Sequence, residues 1–184
     1  MSNLTNDDLF IEQLNQVERE LKVKLKKLNN IAIKVQKISK NDSIKDRVTS
    51  ILNTLRQEQE QEQEQQQDED EQNTIILLGG YSNNIPKLIS IVEIVKQNNE
   101  SSKLFQFNKL SKFESENNPN YKPKKEENND DGKVLTEEEI QKKLEEEARK
   151  EIHGAKVYSL PTMFIILSNQ DLSQIDLTNW TSQS

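Results

Sequence analysis

Residues 79–87, GGYSNNIPK, follow the short apolar run Thr74–Leu78 (TIILL) and open the stretch LISIVEIVKQN. A strand, a glycine-bearing loop and a helix in this order often set backbone N–H groups against a phosphate. The loop is not built for nucleotide chemistry. It lacks the G-x-x-x-x-G-K-[ST] spacing of a Walker loop, and Lys87 lies a turn inside the helix with no Ser or Thr beside it. It is not G-x-G-x-x-G either. The rest of the chain offers little for catalysis. There is no cysteine, so no thiolate nucleophile or Cys-based zinc site is available. The single histidine, His153, falls in a charged stretch and reads as an exposed helix-end residue. The Glu and Asp clusters lie in polar tracts where solvent would keep their pKa values ordinary. The sequence thus predicts no catalytic residue, no metal site and no cofactor.

Phosphate binding without chemistry fits better. Lys37, Lys40, Lys45 and Arg47 surround a predicted strand–helix loop, and Lys87 with Gly79 and Gly80 sits at a second one. Tyr81 could stack on a base. The net charge of −7 argues against a nucleic-acid partner until it is divided along the chain. Residues 22–56 carry ten Lys/Arg against Asp42 and Asp46, whereas residues 57–73 carry eight acids and no base. A phosphate feels the local field, not the total.

The elements that must position these residues follow from periodicity. Leu14, Val17, Leu21, Leu25 and Leu28 share one helical stripe, to be buried on the core or on a partner. Ile31, Ile33 and Val35 alternate with Ala32, Lys34 and Gln36, a half-buried strand. Asn41, Asp42 or Ser43 can cap a helix whose apolar face is Ile44, Val48, Ile51, Leu52 and Leu55. Thr74–Leu78 reads as a central strand. The helix after it has Asn84 at its N-cap and Pro86 just inside. Residues 103–113 and 158–168 read as two more strands, with Leu172, Ile175, Leu177 and Trp180 able to pack back. The Gln/Glu tract 57–73 reads as a solvated linker, and 114–155 as a polar, partly helical insertion, with a capping box starting at Thr136. The expected fold is α+β, a two-layer β-α-β-α-β-β arrangement. Its four-stranded mixed sheet has two helices on one face, and residues 1–29 add an extra N-terminal helix before a domain over 30–184. The N-terminal residues lack the pattern of a secretory signal, and no apolar run approaches a bilayer span.

Four blocks carry a family resemblance: ISKNDSIKDRV (38–48), IPKLISIVEIVKQ (85–97), LFQFNKLSKFE (104–114) and LPTMFIILSNQDLSQIDL (160–177). In this order they resemble the Alba family from about residue 30 onward. Within that family the chain looks like the larger Alba-type subunit of nuclear ribonuclease P and ribonuclease MRP, the small fungal Pop-type subunit. The resemblance implies a heterodimer with a smaller Alba-type subunit, and binding of the P3 region of the ribonuclease P/MRP RNA among the other proteins of those particles. It also implies a nuclear, nucleolar location, no membrane, and in fungi a place on telomerase RNA. It carries RNA contacts onto Lys40, Lys45, Gly80, Tyr81, Ser82, Asn83 and Lys87, beside Lys37 and Arg47. A dimer face would come from Leu88, Ile91, Val92, Ile94 and Val95. Asp46 within the first basic loop departs from the family pattern. Lys45→Glu combined with Lys87→Glu should then weaken RNA binding without unfolding. Two other readings stand beside this one. The first is a general Alba-type RNA-binding protein of mRNA metabolism or chromatin. The second is a protein-interaction module dominated by the N-terminal helix and acidic tracts.

Overall fold

A computed structural model describes residues 4–26, 31–64, 73–99, 103–118, 156–172 and 174–183, with helical positions at 137, 140–142, 144, 145 and 148. His153, Thr136 and residues 65–72 of the acidic tract lie outside the described residues. Two compact units emerge, Met1–Phe113 with Leu160–Ser184, and Glu114–Ser159. In the second unit, Lys156 Nζ stands 5.1 Å from the Tyr158 ring centre. The first unit holds the sheet and its helices, including the N-terminal helix that the sequence set apart as residues 1–29.

The elements run α1 (Asn6–Leu25), β1 (Ile31–Lys37), α2 (Ile44–Glu64), β2 (Asn73–Tyr81), a 3-10 turn (Ser82–Asn84), α3 (Ile85–Asn98), β3 (Phe105–Ser115), β4 (Tyr158–Ser168) and β5 (Thr181–Gln183). The sheet order is β1-β2-β4-β3-β5. β1 and β2 are parallel, with Lys37 opposite Gly79, and β2 and β4 are antiparallel, with Tyr81 opposite Thr162. This is the expected α+β fold with a mixed sheet, plus one short edge strand. β5 comes from the tail, which the sequence gives no periodic pattern.

Alternation along β2 and β4 explains the layering. Ile76, Leu78, Ile165 and Leu167 point to one face, where they pack against Ile51 and Leu55 of α2 and Leu88, Ile91 and Val95 of α3. Ile75, Leu77, Phe164 and Ile166 point to the other, against Phe10, Leu14, Val17, Leu21 and Leu25 of α1. Strands buried on both sides lose the usual apolar/polar alternation, hence the unbroken TIILL and MFIIL runs. Helix α1 therefore makes a third layer, where the sequence reading expects two. Its five core side chains contribute on the order of 10 kcal/mol by burial, before entropy is charged. Thr5 starts it with a capping box: its side chain accepts from the Asp8 N–H while Asp8 accepts from the Thr5 N–H. The tail closes over the same face, as Leu172 is buried and Lys24 donates to the Asp176 carbonyl at 2.7 Å.

The glycine pair lies inside β2, not in a loop, and its two members differ. A Cβ on Gly79 would meet Leu14 Cδ1 at 3.0 Å, Phe10 Cζ at 3.1 Å and Phe164 Cδ1 at 3.3 Å. Gly79 is what lets α1 lie close on the sheet. A Cβ on Gly80 would meet nothing nearer than 3.5 Å. Gly79→Ala is expected to lower stability by about 1 kcal/mol through overpacking. Gly80→Ala should be neutral, or raise stability by up to about 0.5 kcal/mol by restricting the unfolded chain. Urea unfolding of the two variants separates them; equal losses would refute the assignment.

Candidate nucleic-acid interface

Parallel pairing brings the carboxyl ends of β1 and β2 side by side, so the loops into α2 and α3 leave the same sheet edge. This is the juxtaposition that the nine sequence-predicted RNA residues require. The structure gives them unequal roles.

The first loop is held from within. Asp42 accepts from the Ser39 N–H at 2.7 Å and pairs with Arg47 at 3.0 Å. Ser43 Oγ accepts from the Asp46 N–H at 3.3 Å, capping α2. The Lys87 ammonium reaches across from α3 and donates to the carbonyls of Ser39 (3.3 Å), Asp42 (3.0 Å) and Lys40. Its three N–H donors thus have three acceptors. Lys87 ties the two loops into one surface and is not a free phosphate ligand. Its replacement in the Lys45→Glu, Lys87→Glu pair would disturb the loop as well as the charge. Arg47 is likewise committed, to Asp42.

Burial pushes the Asp42 carboxyl up, but the Arg47 guanidinium and the Ser39 N–H outweigh this and hold it below its ordinary 3.8. A lowered folded value means that the charged form favours the folded state. That stabilisation is complete above 3.8 and is lost as pH falls through the lower folded value. In unfolding measurements from about pH 6 to about pH 2, the wild type should lose more stability than Asp42→Asn. Parallel losses would refute this account of the loop.

The second loop turns through Ser82, whose φ of 49° is the one left-handed non-glycine value among the described residues. Asn83 is exposed. Asn84 makes no side-chain hydrogen bond to the start of α3, so no side chain caps this helix N-terminus. Gly80 is buried in β2, opposite Met163, and cannot meet a ligand as a loop residue would. Tyr81 is engaged by α1 and β3. Its ring centre lies 5.0 Å from Phe10 and 5.7 Å from Phe113, and its hydroxyl donates to Asp7 at 2.8 Å. Burial and then the Asp7 carboxylate push the phenol above its usual range. A base could stack on Tyr81 only by displacing these neighbours.

Lys37 ends β1 and forms an ion pair with Asp7 at 3.0 Å. Lys40 and Lys45 remain: both are exposed, and neither has an ion-pair partner among the described residues. Among the described residues they are the uncommitted cations of this edge. Asp7 is the member that sequence reasoning missed. Its distance of 74 positions from Tyr81 left no local signal, and the acidic start of α1 reads as ordinary helix capping.

The proposed dimer face also changes. Leu88, Ile91, Val92 and Val95 are at most 1% exposed, and Ile94 packs on the same cluster, so these side chains fill the protein's own core. The open side of α3 carries Ile89 and Glu93 instead. With Leu110, Met163, Ile165 and Gln106 they line a groove of about 560 Å³ between α3 and strands β3 and β4. Gln106 is 3% exposed, and its Oε1 has no hydrogen-bond partner among the described residues.

Among the described residues no cluster of His, Cys, Asp or Glu is placed to hold a metal ion, and no helix is long and apolar enough to cross a membrane. Two strand–helix loops thus leave one edge of the mixed sheet of an α+β domain, and they carry lysines with no ion-pair partner among the described residues. Residues 34–114, a little under half of the chain, match the Alba family model, from within β1 to one residue short of the end of β3, so this segment is similar to an Alba domain. An Alba domain points to binding of RNA or DNA. No curated protein matches the chain.

Proposed function

We propose that the chain is a non-catalytic RNA-binding scaffold subunit of ribonuclease P and ribonuclease MRP, acting in tRNA 5′ processing and rRNA processing in the nucleus and nucleolus. In this reading it binds the P3 region of the RNA, which does the cutting, and pairs with a smaller Alba-type subunit among the other proteins of the particle. Telomerase RNA is a further candidate ligand. The observation that carries RNA binding is the single edge where Lys40 and Lys45 project beside two helix N-termini. Charges and dipoles of this kind bind phosphate without reading sequence. The particular particle rests on the resemblance of the four sequence blocks.

The smaller subunit would cover the groove between α3 and β3–β4. A partner donor there would satisfy Gln106 Oε1, which is buried and has no hydrogen-bond partner among the described residues. Purification of the tagged full chain, with sequencing of bound RNA and identification of bound proteins, tests the reading. Enrichment of ribonuclease P/MRP RNA together with a second Alba-type chain is expected. Bulk mRNA would point instead to a general Alba-type RNA-binding protein. Absence of any RNA, even with the partner present, would leave a protein-interaction module.

A further inference from the structure

The candidate RNA edge contains an acid whose position no phosphate-binding role explains. We propose that Asp7 is an intramolecular competitor for RNA phosphate, holding Lys37 and the Tyr81 hydroxyl where a phosphate oxygen would otherwise sit. The inference rests on the RNA-binding reading and adds a residue that sets its affinity.

The geometry is that of an anion in a two-donor site. Lys37 Nζ lies 3.0 Å from Asp7 Oδ2, and Tyr81 Oη lies 2.8 Å from Asp7 Oδ1. Each carboxylate oxygen takes one donor, as two oxygens of a phosphate could. The donors come from the neighbouring ends of β1 and β2, beside the loops that carry Lys40 and Lys45. Burial pushes the Asp7 carboxyl up, yet the Lys37 and Tyr81 contacts prevail and keep it below 3.8, so it stays charged at neutral pH.

Helix α1 cannot leave to unmask the site, because five of its side chains are core. The Asp7 side chain can, since it is 57% exposed and only rotation about its own bonds is needed. An RNA phosphate arriving at Lys37 therefore exchanges one anion for another. Little affinity is gained from Lys37, and the net contribution of the edge falls mainly to Lys40 and Lys45. Asp8 provides a control within the same helical turn. It carries the same charge, but its carboxylate is bonded to Thr5 and not to Lys37 or Tyr81.

The test uses the full chain, a fluorescently labelled RNA stem-loop with an internal loop, and anisotropy titrations between about 50 and 200 mM salt. Asp7→Asn should bind about three- to tenfold more tightly than wild type. The plot of log K against log salt should steepen by about 0.9, one added phosphate contact. Asp8→Asn should change affinity less and leave the slope unaltered. An Asp7→Asn variant that binds no better than wild type, or an Asp8→Asn variant that matches its gain, overturns the proposal. If binding depends on Lys40 and Lys45 but ignores Asp7, only this inference fails. If folded wild type and Asp7→Asn both bind no RNA, the RNA-binding reading itself fails.

Discussion

Lys40→Glu combined with Lys45→Glu is expected to weaken RNA binding about ten- to a hundredfold at roughly 0.1 M salt. Both side chains are exposed and have no ion-pair partner among the described residues, so each can meet a phosphate and each reversal adds repulsion. Two lost contacts should also flatten the salt dependence of log K by about 1.8. The fold should survive. Lys87 uses the main-chain carbonyl of residue 40, which the substitution keeps. Residue 45 is in the first turn of α2, where a glutamate suits the positive end of the helix dipole. A charge-matched pair, Lys96→Glu with Lys103→Glu, sits at and beyond the other end of α3 and should lower affinity far less. If the two pairs weaken binding equally, overall charge rather than this edge drives association.

Lys87→Met should lower stability by about 2–3 kcal/mol, because it strips the ammonium from three carbonyls that have adapted to it. For a chain of this size that corresponds to a fall in Tm of roughly 5–10 °C. The loss should be local first. Amide exchange at residues 39–42 should accelerate more than in the β2 and β4 strands. RNA binding should weaken too, through a loosened loop rather than a missing phosphate contact, so the salt slope should fall by less than one unit. An unchanged Tm with a slope reduced by a full contact would return Lys87 to the role of a direct phosphate ligand.

Lys87 shows what a sequence can and cannot say about a site. Its place one turn inside a helix, after a strand and a glycine pair, was legible, and so was the convergence of two such loops. Its partners were not, because the carbonyls it meets lie 45 to 48 positions away. The same holds for Asp7 with Tyr81, and for Gly79, which reads as a loop glycine until Leu14 and Phe10 are set over it. Helix α3 gives the reverse case. Its broad apolar face was plain, but which of its residues meet the sheet and which stay open depends on how it rotates on β2 and β4. That rotation put Leu88, Ile91 and Val95 inside and Ile89 outside.

By itself the sequence determined four of the five strands and the helices of the sheet domain, since side-chain period and capping chemistry act over a few residues, and only the short edge strand β5 escaped it. It also determined that the basic charge gathers at the first strand–helix loop. Only the tertiary structure decided which of those charges are free. Ion pairing and hydrogen bonding fall off within a few ångströms, so the fate of Lys37, Arg47 and Lys87 was settled by acids and carbonyls that folding brought beside them. Among the described residues folding brought no such partner to Lys40 and Lys45, which is why the proposed phosphate contacts fall to them.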